Sequence, residues 1–163
     1  MNSRSYERLA CPIAQSLSVL GKQWTLLILR DVLFGYSRFE EFQSSLGISR
    51  NLLSRRLAEM VESCLLERRP LHEGAKRHEY VATDKARGLL PVLLALGQWT
   101  ERWEPSLDGP RVTPCDPESG EPVTVRLMPR GADRGVRPKD VLITPGPGAA
   151  FRDHLNRKLA AED

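Results

Sequence analysis

Two helical patterns that are separated by a single glycine leave few folds open to this chain. Ser37 followed by Glu40 has the spacing of a capping box, which predicts a short helix over residues 38–46. Gly47 supplies the left-handed turn that ends such a helix. Ser49 is a good N-cap for a second and longer helix without Gly or Pro. Two helices joined by so short a turn predict a helix-turn-helix motif.

The second predicted helix, which extends to residue 63, has an apolar face and a polar face. The apolar face, which we expect to contact the core, consists of Leu53, Leu57, Met60, Val61 and Cys64. The opposite face carries hydrogen-bond donors around a small residue: Arg50, Asn51, Ser54, Arg55 and Ala58. Arg and Asn can read base edges and Ser can bind phosphates, so this face is typical of a recognition helix in a DNA major groove. The alternative is an ordinary surface helix with a solvated basic face.

These positions predict a set of DNA contacts. We expect the major groove to be contacted by Ser49, Arg50, Asn51, Ser54 and Arg55. Arg38 and Arg56 are the predicted phosphate contacts. A bidentate contact from Arg50 or Arg55 to guanine would be worth roughly 1–3 kcal/mol of discrimination.

Two extended runs, at 65–69 and 78–82, flank a polar turn that contains Gly74, and this pattern predicts a β-hairpin. A hairpin directly after a recognition helix has the position of a wing. Lys76 and Arg77 lie near its tip, where we expect contact with the DNA backbone or minor groove. The alternative is a solvated hairpin, because charges at hairpin tips are common.

Three further helices are predicted, over 11–20, 22–33 and 84–103. The second is apolar on nearly all sides and should form the centre of the core. The third carries more apolar side chains than one helix could bury on so small a domain. We therefore expect two copies of the chain to pair through the first and third of these helices as a two-fold dimer. Two recognition helices about one DNA turn apart would read an inverted repeat.

Composition changes at Glu104, since residues 104–163 hold nine of the twelve prolines and six of the twelve glycines. Within this extension we expect a small β-hairpin, with strands at 122–128 and 139–144, and a terminal helix at 149–161. The predicted organisation is a winged helix-turn-helix domain over 1–103 and an extension over 104–163. The fold class is mainly α with a small β-wing (α+β).

Composition and motifs exclude several classes of protein. The 163 residues are 40% hydrophobic and 28% charged, as in soluble globular proteins. No apolar run approaches the roughly 20 residues that span a membrane, and the first residues lack a signal peptide, so we expect a cytoplasmic protein. His72, His78 and His154 lack metal-ligand spacing, and no phosphate-binding loop or paired nucleophile and base occurs. We therefore expect no enzyme activity, no cofactor and no metal.

Several motifs together resemble the HxlR-type winged helix-turn-helix regulators over about residues 10–103. They are Cys11-Pro12-Ile13, Gly21-Lys22-Gln23-Trp24-Thr25, Arg38-Phe39-Glu40-Glu41-Phe42, Leu52-Leu53-Ser54-Arg55-Arg56-Leu57, Leu65-Leu66-Glu67-Arg68, Tyr80, Thr83 and Pro91-Val92-Leu93 with Trp99. The resemblance implies a dimeric bacterial transcription regulator, related in fold to the MarR group, that binds operator DNA.

The resemblance also implies a role for Cys11, because some members of the family respond to oxidants or electrophiles through a cysteine at this place. A helix N-terminus and the nearby Arg8 would favour a reactive thiolate there. The alternative is a small buried hydrophobic residue. Extensions of some members carry several cysteines, but here only Cys115 remains, and one cysteine cannot form a zinc site.

Two other functions stay open. A small apolar inducer could bind in the dimer cleft in place of redox sensing. A winged-helix module could also bind protein partners and leave its basic face solvated.

Overall fold

The computed structural model describes residues 11–75, 77–144 and 146 of the chain. The chain divides into two compact units, of which residues 23–125 form one and the segments before and after them form the other. Predictions for Arg8, Lys76 and the terminal helix at 149–161 fall outside the described residues. None of the described helices is both long and apolar enough to cross a lipid bilayer.

Helices dominate the architecture, and one two-stranded antiparallel sheet accompanies them in the described residues, as the predicted α+β class requires. The elements in chain order are α1 (Pro12–Leu20), α2 (Thr25–Leu33), α3 (Phe39–Leu46), α4 (Arg50–Glu62), β1 (Leu66–Pro70), β2 (His78–Ala82), α5 (Asp84–Arg87) and α6 (Leu90–Trp103). Helices α3 and α4 form the helix-turn-helix, and β1 and β2 form the wing. The predicted winged helix-turn-helix is therefore confirmed.

The core of the larger unit is formed by α2, α3, α4 and the start of β1. Its largest fully buried apolar side chains are Ile28, Leu29, Phe42, Leu53, Leu57, Met60, Leu65 and Leu66. Helix α2 lies with most of its surface in the core, since only Leu27 of its nine residues is exposed, at 42%, and five are buried: Thr25, Ile28, Leu29, Asp31 and Val32. The prediction of a helix that is buried on most of its surface is therefore confirmed. Its start was misplaced, since Trp24 takes a left-handed conformation with φ 76° and α2 begins after it.

Helix α3 begins one residue later than predicted, with Arg38 as its N-cap. The Oε2 atom of Glu41 accepts hydrogen bonds from the backbone N–H groups of Ser37 and Arg38, each at 2.8 Å. These bonds lower the pKa of Glu41 from its ordinary value of 4.5. The predicted capping box of Ser37 with Glu40 was wrong, because a helix that begins at Phe39 has Glu41 as its third residue. Gly47 ends the helix with φ 61°, as predicted.

Helix α4 ends in a Schellman motif. The N–H of Leu65 donates to the carbonyl of Met60 at 2.9 Å, and the N–H of Cys64 donates to that of Val61 at 3.0 Å. Cys64 takes the left-handed position of this motif, with φ 57°. Its side chain is exposed. The predicted place of Cys64 in the core was wrong, because the helix has already ended there and the helical spacing no longer applies.

The wing is a regular hairpin whose register pairs Arg68 with Tyr80 and Pro70 with His78. In addition to the pairing within the hairpin, the N–H of Tyr80 donates to the carbonyl of Ser37 at 2.8 Å. Strand β2 is therefore tied to the segment that leads into α3. The ring of Tyr80 also lies edge-on to that of Phe42, with 6.3 Å between centroids. Both contacts fix the wing against the helix-turn-helix.

The predicted helix over 84–103 is divided into α5 and α6. Thr83 caps α5 by accepting a hydrogen bond from the N–H of Ala86 at 3.3 Å. Pro91 falls in the first turn of α6. A proline cannot donate to the turn before it, so it begins a new helix rather than continuing α5.

The extension does not contain the predicted strands at 122–128 and 139–144. An isolated bridge pairs Cys115 with Pro122, and residues Pro138–Asp140 form a 3-10 helix. The apolar side chains of the predicted strands are largely exposed, with Val123 at 40%, Leu127 at 49% and Leu142 at 70%, and a hairpin without a buried face is marginal on its own.

Candidate nucleic-acid interface

The outward face of α4 carries the residues that the sequence predicts to read DNA. Leu53, Leu57 and Met60 are at most 2% exposed, which holds one side of α4 against the core. On the opposite side all of the predicted residues are exposed: Ser49, Arg50, Asn51, Ser54, Arg55 and Ala58. The structure therefore brings the predicted major-groove set together on one surface.

The first turn of α4 adds main-chain donors to this surface. Ser49 is the N-cap, with φ −64° and ψ 144°, and its hydroxyl makes no capping hydrogen bond. No acidic residue occurs in the first turn. The first N–H groups of a helix lack partners within the helix and carry its partial positive charge, so this end of α4 favours an anion.

A cleft of about 580 Å³ lies between the helix-turn-helix and the wing. Its lining residues, from α3, the start of α4 and both arms of the wing, are Arg38, Phe39, Glu40, Glu41, Arg50, Arg68, Leu71, Arg77, His78 and Tyr80. The guanidinium of Arg50 lies over the ring of Phe39, 5.0 Å from its centroid, which places this charge at the junction of α3 and α4. The cleft thus unites Arg38, Arg50 and Arg77, three of the predicted contacts.

Arg68 also lines this cleft and was not among the predicted contacts. Side chains alternate between the faces of a strand, so Arg68 shares a face with Tyr80, directly opposite it in the register. This alternation is the signal from which its position could have been found.

Arg56 differs from the other predicted contacts because its guanidinium is engaged inside the protein. Its Nε donates to the carbonyl of Gln23 at 2.9 Å, and its Nη1 pairs with Glu59 at 2.5 Å. Its side chain is 13% exposed. This arrangement links α4 to the residues before α2 and leaves little of the guanidinium for a phosphate.

Helix α6 has no buried residue. Four apolar side chains at spacings of three and four form a stripe along it, which we call the α6 stripe: Val92, Leu96, Trp99 and Trp103. Trp99 is 57% exposed and Trp103 is 64% exposed. Exposed apolar surfaces of this kind are typical of interaction sites.

Cys11 is the N-cap of α1 and its thiol is half-buried and free. Cys64 and Cys115 are exposed and free. No group of three or more potential metal ligands occurs within the described parts of the chain.

Comparison with known proteins places the chain among regulators. The family described as HxlR-like helix-turn-helix matches residues 19–108. The HTH-type transcriptional regulator Rv3095 of Mycobacterium tuberculosis is 35% identical over 136 residues, which cover 83% of this chain and 86% of that protein.

Solved structures agree with the sequence comparison. PA1607, a proposed transcription factor, is 35% identical with a TM-score of 0.77, and the match covers 87% of this chain and 99% of that one. The redox regulator HypR in its reduced form is 27% identical with a TM-score of 0.52, over 56% of this chain and 92% of its own. From the matched sequence, the winged helix-turn-helix and the exposed donors of α4, it follows that this chain belongs to the HxlR-like helix-turn-helix family of DNA-binding transcriptional regulators.

Proposed function

We propose that this protein regulates transcription as a homodimer that binds an inverted-repeat operator. The observation that carries the proposal is the division of α4, whose buried side anchors it while its outer side presents Arg50, Asn51 and Arg55 to solvent. These side chains would read base edges, as Arg and Asn do in major grooves. Ser49 and Ser54 would bind phosphates or bases at the same surface.

The wing and the start of α3 would position the protein on the DNA backbone. Arg38 is exposed beside the start of α3, and Arg77 follows the turn of the wing. We keep Lys76 in this role from its place in the sequence. We assign Arg56 to the stability of α4 instead of a phosphate contact, because its hydrogen bonds to Gln23 and Glu59 already occupy its guanidinium.

The α6 stripe supports the homodimer. A monomer would leave two tryptophans of this stripe largely in water, whereas a second copy could cover them with the same surface. Ile13 and Leu17 on α1 are also exposed and fit the predicted contribution of the first helix.

Fluorescence anisotropy would test the proposal on duplex DNA from upstream of the protein's own gene, against a scrambled duplex and over a range of salt. We expect affinity to fall steeply with salt and to stay roughly a hundredfold higher for the operator. Weak and equal binding to both duplexes, persisting across genomic fragments with reduced protein, would favour a module that binds protein partners.

We also propose that modification of Cys11 by an oxidant or an electrophile controls DNA binding. The thiol lies at the N-terminus of α1 and is half-buried and free, and the related HypR is a redox regulator. Cys11→Ser should retain DNA affinity after diamide treatment, whereas the parent protein should lose it. Cys64→Ser and Cys115→Ser are matched controls that should respond like the parent. An equal response of Cys11→Ser would favour the small apolar inducer in the dimer cleft.

A further inference from the structure

The cleft between the helix-turn-helix and the wing holds a concentration of positive charge. Four arginines line it: Arg38, Arg50, Arg68 and Arg77. Among the described residues none of the four forms an ion pair, whereas Arg69, next in sequence to Arg68, pairs with Glu67. Unpaired guanidinium groups in one cleft repel each other, and an anion between them would relieve this repulsion.

The two carboxylates of the cleft, Glu40 and Glu41, offset only part of the charge of its four arginines. Glu41 directs its Oε2 atom to the backbone N–H groups of Ser37 and Arg38, so its charge serves the start of α3. Glu40 is exposed and makes no ion pair with a described residue. Arginines therefore outnumber carboxylates here, and the net charge favours a phosphate group.

Hydrogen bonds within the protein preorganise the walls of the cleft. The bond from Tyr80 to Ser37 fixes β2 against the start of α3. The Nη2 atom of Arg68 lies 3.1 Å from the Nδ1 atom of His78, and since a guanidinium can only donate, this nitrogen accepts. The bond orients Arg68 toward the cleft, so less side-chain entropy is lost when a ligand binds.

We propose that Arg68, with Arg38 and Arg77, forms a phosphate site in this cleft that takes a backbone phosphate of DNA beside the recognition helix. The proposal rests on the proposed function and adds to it a contact from the stem of the wing, not from its tip. A planar guanidinium suits a phosphate, and several converging on one cleft give position without sequence preference.

The test compares Arg68→Met with Arg69→Met in the full-length protein. Both remove one exposed arginine from the same strand, but alternation places Arg69 on the other face, where it pairs with Glu67. Arg68→Met should weaken binding to operator and scrambled duplexes alike, by about tenfold, and lower the salt slope by about one. Arg69→Met should leave both quantities unchanged.

If the parent protein binds its operator, either of two results would overturn the assignment of Arg68 as a phosphate contact. One is an Arg68→Met variant that binds like the parent with the same salt slope. The other is a loss confined to the operator duplex, which would mean a base contact. Thermal unfolding of both variants checks that the change is not one of folding.

Inorganic phosphate, titrated against the protein alone, separates this proposal from the proposed function. If the parent protein binds no DNA, a saturable change in the Nε–H NMR signal of Arg68 would still support the phosphate site, with free phosphate compounds as its source. Absence of both DNA binding and this change would overturn the proposal.

Discussion

Cys64 occupies a backbone conformation that costs an L-residue free energy. Its φ of 57° is left-handed, and this conformation costs an ordinary residue roughly 1–2 kcal/mol. Glycine avoids that cost, but its larger entropy in the unfolded chain offsets part of the gain in stability. We expect Cys64→Gly to raise the free energy of unfolding by about 1 kcal/mol, measured by urea denaturation. Cys64→Ser keeps the strain and should leave the free energy of unfolding near that of the parent. A lower midpoint for the glycine variant would contradict the prediction.

Glu41 gives the start of α3 a pH-dependent stability. Hydrogen bonds from the Ser37 and Arg38 N–H groups lower its pKa below 4.5, so the carboxylate stabilises the folded chain fully above the unfolded pKa and loses this effect as pH falls through the lowered value. Glu41→Ala should cost about 1 kcal/mol near pH 7, by analogy with other lost caps. The difference from the parent should shrink below pH 4.5 in denaturation curves taken across pH.

Glu40→Ala is the matched control for this measurement. Its side chain is exposed and makes no hydrogen bond to a described residue, so its removal should have a much smaller effect at either pH. Equal losses for both variants at neutral pH would mean that the capping bonds of Glu41 do not stabilise the helix.

Residue types and spacing predict which side of a helix faces out, but not what each side chain finds there. The exposure of Arg50, Asn51 and Arg55 follows from helical periodicity and was predicted. The internal role of Arg56 was not, because its partner is a carbonyl 33 positions earlier in the chain. A contact between residues so far apart in the chain cannot be predicted from the residues around Arg56 alone.

At the scale of elements, two neighbouring arginines on α4 separate stability from DNA binding. Arg56→Met removes hydrogen bonds from a guanidinium that is 13% exposed and should lower the free energy of unfolding by about 1–3 kcal/mol, with little change in DNA affinity. Arg55→Met should do the reverse. Thermal or urea unfolding and anisotropy on the operator measure the two effects. If Arg56→Met instead lost DNA affinity and kept the stability of the parent, Arg56 would be a phosphate contact after all.

The elements of the helix-turn-helix were predicted within about one residue because a characteristic capping residue marks the end of the first helix and the start of the second. Gly47 ends α3, and Ser49 begins α4. Pro91 predicts a bend or an offset near the start of the helix over 84–103, and the structure shows a full division into α5 and α6 there. The strands of the extension were mispredicted because alternation of apolar and polar residues favours a strand only where one face is buried, and the apolar residues there are exposed.

At the scale of the whole molecule, the α6 stripe should determine the oligomeric state. Trp99→Glu places a charge in this stripe and should convert a dimer to a monomer in sedimentation velocity, and lower operator affinity by about a hundredfold because one half-site must then bind alone. Leu107→Glu, beyond the end of α6 and fully exposed, is the control and should stay dimeric. A parent protein that sediments as a monomer would contradict the proposed homodimer.

Pairing between copies was predicted from an excess of apolar residues, and the structure leaves these residues exposed in the single chain. The division at Glu104 into a binding domain and an extension stays a prediction. Long-range arrangement depends on contacts between segments far apart in sequence, and periodicity within one segment does not encode them.

The strand edges of the wing affect how readily the protein aggregates at high concentration. Within the described residues, β1 pairs with β2 on one side only, and an unpaired strand edge can add strands from other chains and begin aggregation. Here the edge carries Glu67, Arg68 and Arg69 and ends at Pro70, which has no N–H to donate. Charges that suit a surface facing DNA therefore also oppose intermolecular sheets. The exposed apolar surface of α6 is where we propose that two copies of the chain associate.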